Sequence, residues 1–392
     1  MPEALTAHAS SRARTPHAGT PADSPGATLS LAGVTKRYGD QVVVDGVSLE
    51  VRGGEFVTLL GPSGSGKTTT LNMIAGFADL DAGEILLDGR SIAELPPHRR
   101  NVGMVFQNYA LFPHMTALDN VAFPLKQGRG RKQGKQEIRR RAMEALELAQ
   151  MAPYAGRYPR QLSGGQQQRV AVARAIVFNP RVLLMDEPLG ALDKKLREAL
   201  QLEIKRIHRE LGITFIYVTH DQEEALVLSD RIAIFNEGRI VQLGTSAELY
   251  ERPDTVFVAD FIGDSNLLSG ALSWRDGEHW FVAGGVHFRV AVPGDYEGGE
   301  DVTVVIRPER IELAAAEAVT SPDRNALPGR VEEVIYLGNT RRYVVALAPE
   351  GRRMLARAQV GDAAAEFAAG DEVQVTWPVQ AAVVLARGEA ER

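Results

Sequence analysis

The sequence predicts an α/β domain built on a largely parallel sheet, followed by a second, β-rich domain. Three observations carry this. Short apolar runs alternate with helical stretches from Leu29 onward. One of those runs turns into a helix through a glycine-rich loop, and helical periodicity is lost after about Gly263. The length, 392 residues, has room for two or three domains at roughly 150 residues each.

In chain order, residues 1–28 are mostly Ala, Ser, Thr, Pro and Gly and lack the apolar segment of a secretory signal. They are read as a disordered leader. Phe56–Leu60, Val102–Phe106, Val182–Met185, Ile213–Val218 and Ile232–Phe235 are too continuously apolar to be half-exposed, so they are expected as buried strands. Leu196, Leu200, Ile204, Ile207 and Leu211 recur at helical spacing, with Lys194, Lys195, Arg197, Lys205 and Arg209 expected on the wet side. Beyond Gly263, Val302–Ile306, Arg330–Tyr336, Tyr343–Leu347 and Glu372–Thr376 read as short strands of a small barrel or sandwich. The expected boundaries are therefore 1–28, 29–262 and 263–392. A basic stretch, Lys126–Arg141, has two readings: a solvated loop entering a helix, which is preferred, or a contact for acidic headgroups or a partner.

Composition excludes several classes of function. With 44 Lys+Arg against 50 Asp+Glu the net charge is −6, so the chain is not built as an electrostatic footprint for nucleic acid. Cysteine is absent, which removes disulfides, Cys-ligated metals and thiol catalysis. No stretch approaches the ~18 uninterrupted apolar residues of a spanning helix; the run Val170–Phe178 is short and carries Arg174.

The chemistry begins at Gly61-Pro62-Ser63-Gly64-Ser65-Gly66-Lys67-Thr68, a complete G-x-x-x-x-G-K-[ST] after a strand. Glycines let the backbone wrap with its N–H groups inward, and those amides plus the positive helix end bind phosphate oxygens. Lys67 adds a point charge for the β/γ-phosphates, and the Thr68 hydroxyl can ligate Mg²⁺. Val182–Met185 then runs into Asp186 and Glu187. A buried strand tolerates two carboxylates only at its C-terminal end, where Asp186 would orient Mg²⁺ and Glu187 would take a proton from water; a strand-ending pair that caps a turn would look similar. Leu162-Ser163-Gly164-Gly165-Gln166 opens a helix expected over Gln167–Phe178, either as a well-capped start or as a second anion-binding terminus.

Gly61–Thr68, Gln107, Leu162–Gln166, Asp186-Glu187, Ala191-Leu192-Asp193 and His220 occur in an order that resembles the nucleotide-binding subunits of ATP-binding-cassette (ABC) transporters, over roughly Leu29–Ile262. The resemblance implies an α/β P-loop NTPase cassette with a helical subdomain at about 108–165. It implies ATP and Mg²⁺ as cofactors, with Gly61–Thr68 and Thr69 on the nucleotide and Thr68, Gln107 and Asp186 on the metal. Glu187, His220 and Gln107 are the catalytic candidates, and Tyr38 should stack on adenine, a core tyrosine being the competing reading. The resemblance further implies two cassettes paired head to tail, Ser163, Gly164, Gly165 and Gln166 completing the partner's site and Asp193 at the seam. Gly190 departs from the family pattern, in which Ser is common. His220 could instead be a structural histidine before a helix that Asp221 and Glu224 cap as a box.

The tail, through Phe257–Gly263, Val305–Glu309 and Tyr336–Thr340, resembles the OB-like (TOBE) domain of importer ATPases, nearest the spermidine/putrescine group, with ferric-iron, sulfate and sugar importers as relatives. The expected function is thus ATP hydrolysis that energises uptake of a small solute, most readily polyamines. The expected partners are a second copy, two integral permease subunits and, indirectly, an extracytoplasmic solute-binding protein, with no nucleic acid. The expected place is the cytoplasmic face of the inner membrane, held peripherally. A soluble cassette ATPase acting on ribosomes or DNA is the rival; one P-loop, one Leu162–Gln166 signature and no heptad run speak against it.

Overall fold

Continuous apolar runs become the buried middle of a six-stranded sheet in the computed structural model. It describes residues 25–127, 134–190, 193–292, 301–318, 321–348, 351–361 and 366–386. Most of the leader, the middle of the basic stretch (128–133) and Ala191-Leu192 lie outside the described residues.

The first part runs β1 (Leu29–Tyr38), β2 (Gln41–Val51), β3 (Phe56–Leu60), α1 (Lys67–Ala75), β4 (Ala82–Leu87), β5 (Arg90–Ser91) and β6 (Val102–Val105). It continues with α2 (Ala117–Gln127), α3 (Lys135–Leu148), α4 (Gly164–Ile176), β7 (Val182–Asp186), α5 (Lys194–Leu211), β8 (Thr214–Thr219) and α6 (Gln222–Leu228). β9 (Arg231–Asn236), β10 (Arg239–Gly244), α7 (Ser246–Glu251) and α8 (Val256–Phe261) complete it. The central sheet has the order β10-β9-β3-β8-β7-β6, parallel except for the β10 edge. Its strands alternate between two apolar layers. Val57, Val182, Leu184, Ile216 and Val218 face α1 and a four-stranded antiparallel sheet, β2-β1-β4-β5. Phe56, Leu183, Met185, Phe215 and Tyr217 face α4 and α5. Burial on both faces is why these runs show no polar alternation.

The five expected strands all form, with ends shifted by at most one residue; β6 stops at Val105, leaving Gln107 beyond the ladder. α5 buries Leu200, Ile204 and Ile207 as its spacing requires. Arg197 is a correction: it is half-buried, donating to Asp221 at 2.8 Å rather than facing water. The helical layer of α2, α3 and α4 packs on Val121, Ala142, Leu146, Val170 and Ala173.

Among the described residues the second part is all β apart from single 3₁₀ turns: β11 (Asn266–Arg275), β12 (Glu278–Ala283), β13 (Val286–Val290), β14 (Asp301–Ile306), β15 (Glu312–Ala315), β16 (Arg324–Tyr336), β17 (Thr340–Leu347), β18 (Arg352–Gln359), β19 (Glu372–Pro378) and β20 (Ala382–Ala386). Two five-stranded antiparallel sheets, β13-β12-β11-β14-β20 and β15-β19-β16-β17-β18, enclose one core containing Phe281, Phe288 and Trp377. Arg307 joins the two parts. Only 5% exposed, it donates to the carbonyls of Tyr250, Ala259 and Ile262 at 2.8, 2.9 and 2.7 Å.

Candidate nucleotide-binding site

β3 ends and α1 begins across Gly61–Gly66, and two glycines there are required. A Cβ at Gly61 would stand 2.2 Å from the Phe235 carbonyl oxygen. Gly66, at φ 100°, caps α1 in a conformation that side chains disfavour. Ser65 is buried, its N–H donating to Pro62 O at 3.3 Å, while Ser63 and Gly64 open to solvent. Lys67 Nζ is folded into the loop, donating to the carbonyls of Gly61 and Pro62 at 2.8 and 2.7 Å and reaching Ser65 Oγ at 3.3 Å. Burial lowers the Lys67 pKa, and the Glu187 and Asp186 carboxylates oppose this. A cation held by loop carbonyls at a helix N-terminus is suited to phosphate oxygens. Thr68 is exposed and Thr69 half-buried on the same turn.

Thr68 Oγ1 donates to Asp186 Oδ1 at 3.0 Å, so the two candidate Mg²⁺ ligands already meet. Burial raises the Asp186 pKa and the Glu187 charge adds to this, whereas the Thr68 hydrogen bond and Lys67 work against it. Glu187 leaves the strand in the left-handed region, φ 42°, while its N–H still reaches Val218 O at 3.0 Å. That twist points its carboxylate at two further candidates. Gln107 Nε2 donates to Oε2 at 3.0 Å, and His220 Nδ1 lies 3.2 Å from Oε1. Lys67, Thr68, Gln107, Asp186, Glu187 and His220 thus form one connected constellation. Among the described residues no group of three or more His, Cys, Asp or Glu is arranged to hold a metal alone. The Thr68 hydroxyl and the Asp186 carboxylate are an oxygen pair that fits a Mg²⁺ arriving with a triphosphate, which would supply further oxygens, whereas Gln107 meets Glu187.

Glu224 requires a correction. Asp221 does cap α6, accepting from the Glu224 N–H at 3.1 Å. The Glu224 side chain does not return to the cap. It is 1% exposed and accepts from Tyr217 Oη at 2.7 Å and Thr219 Oγ1 at 2.8 Å. Thr219 Oγ1 accepts in turn from the Asp221 N–H at 3.0 Å, so both neighbours of His220 in the chain are tied down. Reading Glu224 as a cap partner missed this, because the Asp–x–x–Glu spacing is the same in both cases. The segment after Gln107 was expected only as the start of the helical subdomain; its strained backbone and the side chains that hold it were not read. Tyr109 and Ala110 both take left-handed φ, 58° and 44°, a cost of about 1–3 kcal/mol each for non-glycine residues. Arg174 and Asn120 clamp that segment.

Tyr38, Ser163–Gln166 and Asp193 stand apart from the constellation in the described contacts. Tyr38 is 55% exposed at the end of β1, with the Lys36 ammonium 5.4 Å from its ring centroid, so it is not a core tyrosine. Ser163 caps α4 in a reciprocal box: its Oγ accepts from the Gln166 N–H at 3.4 Å and Gln166 Oε1 accepts from its N–H at 3.0 Å. Gly164 is half-buried. Gly165 is buried, and a Cβ there would lie 3.2 Å from a Leu196 methyl. Asp193 caps α5, accepting from the Leu196 N–H at 3.0 Å. Leu196 therefore sets the start of α4 against the first turn of α5.

Comparison with known proteins gives the family. The ABC transporter family matches residues 44–190 and the TOBE domain family residues 304–385. The chain is 51% identical over 364 residues to the spermidine/putrescine import ATP-binding protein PotA of Acidothermus cellulolyticus, covering 91% of this chain and 93% of that one. It is 48% identical over 361 residues to the protein of the same name from Rubrobacter xylanophilus, with the same coverages. Among solved structures it is similar to dimeric MJ0796, a bacterial ABC transporter cassette (TM-score 0.51, 38% identity, 56% of this chain and 98% of that one). A dimeric post-hydrolysis form of that cassette bound to ADP and Pi matches with TM-score 0.50 and 37% identity, at the same coverages.

Proposed function

The chain belongs to the ABC transporter family, as the ATP-hydrolysing subunit of a small-solute importer, and from that premise we propose that it energises polyamine import. The observation that carries the polyamine assignment is near-full-length identity with proteins named for spermidine/putrescine import, extending through the β-rich part. Residues 29–262 are assigned as the nucleotide-binding domain, with its helical subdomain at about 108–165, and residues 263–392 as a regulatory domain. Among the described residues no helix is long and apolar enough to cross a membrane. By its family, the subunit is taken to couple to transport through separate permease subunits, engaged from the cytoplasmic face, with a solute-binding protein delivering cargo on the far side.

The P-loop amides and Lys67 bind the triphosphate, and Tyr38 offers an open ring for the base. Mg²⁺, when bound, would neutralise developing phosphate charge, and Thr68, Asp186 and Gln107 would hold it. Glu187 takes the proton of the attacking water. Gln107 and His220 each occupy one carboxylate oxygen, so the side chain is oriented while lone pairs remain free to accept that proton. His220, exposed at the edge of the site, is placed to turn toward a γ-phosphate. The first amides of α4 have no acceptor within their own helix. They close the site of a second copy, which gives Ser163 and Gly165 a role that their own P-loop does not supply; the dimeric state of the similar cassette supports this.

Two measurements test the reading. Glu187→Gln is expected to bind ATP normally but to hydrolyse it ~10²–10⁴-fold more slowly, as for loss of a general base. Unimpaired turnover would refute the assignment. In transporter reconstituted with its permeases and binding protein, spermidine or putrescine should stimulate hydrolysis; stimulation by a sugar, sulfate or ferric iron instead would reject the polyamine reading and leave the ATPase assignment standing.

A further inference from the structure

Gln107 reaches Glu187 from a segment with no strand to support it, since the β6 ladder ends at Val105. Directly after Gln107 the backbone makes two tight contacts, Tyr109 N–H to Phe106 O at 2.9 Å and Ala110 N–H to Asn108 O at 2.7 Å. Tyr109 and Ala110 are consecutive non-glycine residues at positive φ. Such a pair persists only where the surroundings over-determine it. The Arg174 side chain, from the last turn of α4, does so: Nη1 donates to Ala110 O at 2.7 Å and Nη2 to Tyr109 O at 2.8 Å. One planar fork therefore holds the carbonyls of both strained residues, which a point-charge ammonium cannot match.

The neighbours of this clamp leave it the deciding contact. The Tyr109 ring packs with Val105, Ala171 and Ala175, but its buried hydroxyl has no hydrogen-bond partner among the described residues, so the ring anchors by shape alone. Ala110 is exposed. Further along, Asn120 of α2 holds Phe112, accepting from its N–H at 2.8 Å and donating to its carbonyl at 3.1 Å. Asn120 thus fixes the backbone at the far end of the segment, where the Arg174 guanidinium also lies 5.8 Å from the Phe112 ring centroid, and Arg174 holds the carbonyls at the end next to Gln107.

We propose that Arg174 is a positioning residue for hydrolysis: by holding the Tyr109–Ala110 turn, it presents the Gln107 amide to Glu187. Because Ser163 opens the same helix, Arg174 also ties the start of α4 to Gln107 through one rigid element. The proposal rests on the roles given above to Gln107 and Glu187.

The test uses the full-length chain, with steady-state ATP hydrolysis and nucleotide binding read separately. Arg174→Ala is expected to lower kcat about tenfold, within the ~10²-fold that a 1 Å misplacement costs, with nucleotide affinity unchanged because the P-loop is untouched. Ala110→Gly added to Arg174→Ala should recover most of that loss, since glycine takes positive φ without the penalty. A purely structural role for Arg174 in α4 would not be rescued in this way. Gln107→Ala should lower kcat on its own, and combining it with Arg174→Ala should add little. The proposal is overturned if Ala110→Gly restores nothing, or if the Gln107 and Arg174 effects multiply. If Arg174→Ala does not fold, Ala110→Val replaces it: a β-branched residue at this exposed positive-φ site raises the strain with the clamp intact. It must then lower kcat without weakening nucleotide binding, and unchanged turnover would overturn the proposal. Should Gln107→Ala leave kcat unaltered, the reading of Gln107 falls as well, whereas slow Gln107→Ala with unaffected Arg174 variants rejects only the clamp.

Discussion

Glu187 takes φ 42°, a backbone state with a real cost for a side chain, and gains from it an orientation that strand alternation would not give. The twist turns the carboxylate out of the pleat to meet Gln107 and His220, which lie on separate segments. Behind His220, Glu224 supplies a test by pH. Burial raises its pKa above the ordinary 4.5, with Asp221 adding to the rise and the Tyr217 and Thr219 hydrogen bonds and the Arg197 guanidinium opposing it. With the folded value raised, the stabilising contribution is fully present below 4.5 and is lost as pH climbs through the folded value. Glu224→Gln cannot ionise and still accepts from Tyr217 and Thr219. Its melting temperature should gain on the parent's from acid toward alkaline pH; a constant difference would show that Glu224 does not ionise across that range.

At the scale of the element, α4 combines two functions at one end. Ser163 satisfies an N-terminal amide as a cap, and the same terminus is proposed to meet a partner's triphosphate. Asp is as good an N-cap as Ser, whereas Ala costs ~1 kcal/mol. Ser163→Asp should therefore leave thermal stability unchanged yet abolish hydrolysis, because its charge opposes the γ-phosphate. Ser163→Ala should lose about 1 kcal/mol of stability in urea unfolding. If Ser163→Asp hydrolyses ATP at the parental rate, this helix end does not face nucleotide.

Across the whole molecule, the β-rich part is seated on the cassette by polar contacts as well as by Ala259, Val305 and Leu385. Arg307 lies 4.0 Å from the centroid of the Tyr250 ring, and Glu309 accepts from the Tyr250 hydroxyl, whose pKa is pushed up to about 12, chiefly by burial. Within the β-rich part, Asp264 at its entry accepts from both Arg342 and Arg357 at 2.6 Å. Arg307→Met would strip three carbonyls of a charged donor, at about 2–4 kcal/mol. Calorimetry should then resolve two unfolding transitions in place of one, the β-rich part melting first. A single transition at the parental temperature would mean that the apolar contacts alone hold the parts together.

What could be read directly from the chain was local chemistry. The P-loop is legible because its glycines, lysine and threonine are contiguous and backbone geometry alone dictates them. The five buried strands are legible because two-sided burial erases polar alternation. The antiparallel sheet at the start was not, since β1 and β2 are half-exposed and their pairing is broken by register shifts. Nor were the roles of Arg197, Glu224 and Arg174 legible, whose partners lie on other elements. Composition and contiguous motifs determined that this protein cradles phosphate, keeps two carboxylates at a strand end and carries a second, β-rich part. Only the tertiary structure decided which side chains meet: Gln107 finds Glu187, and Arg174 finds Tyr109 and Ala110, across loops that no spacing rule spans. Such pairings follow from how sheet and helices pack, and that is a property of the whole chain's burial rather than of any segment.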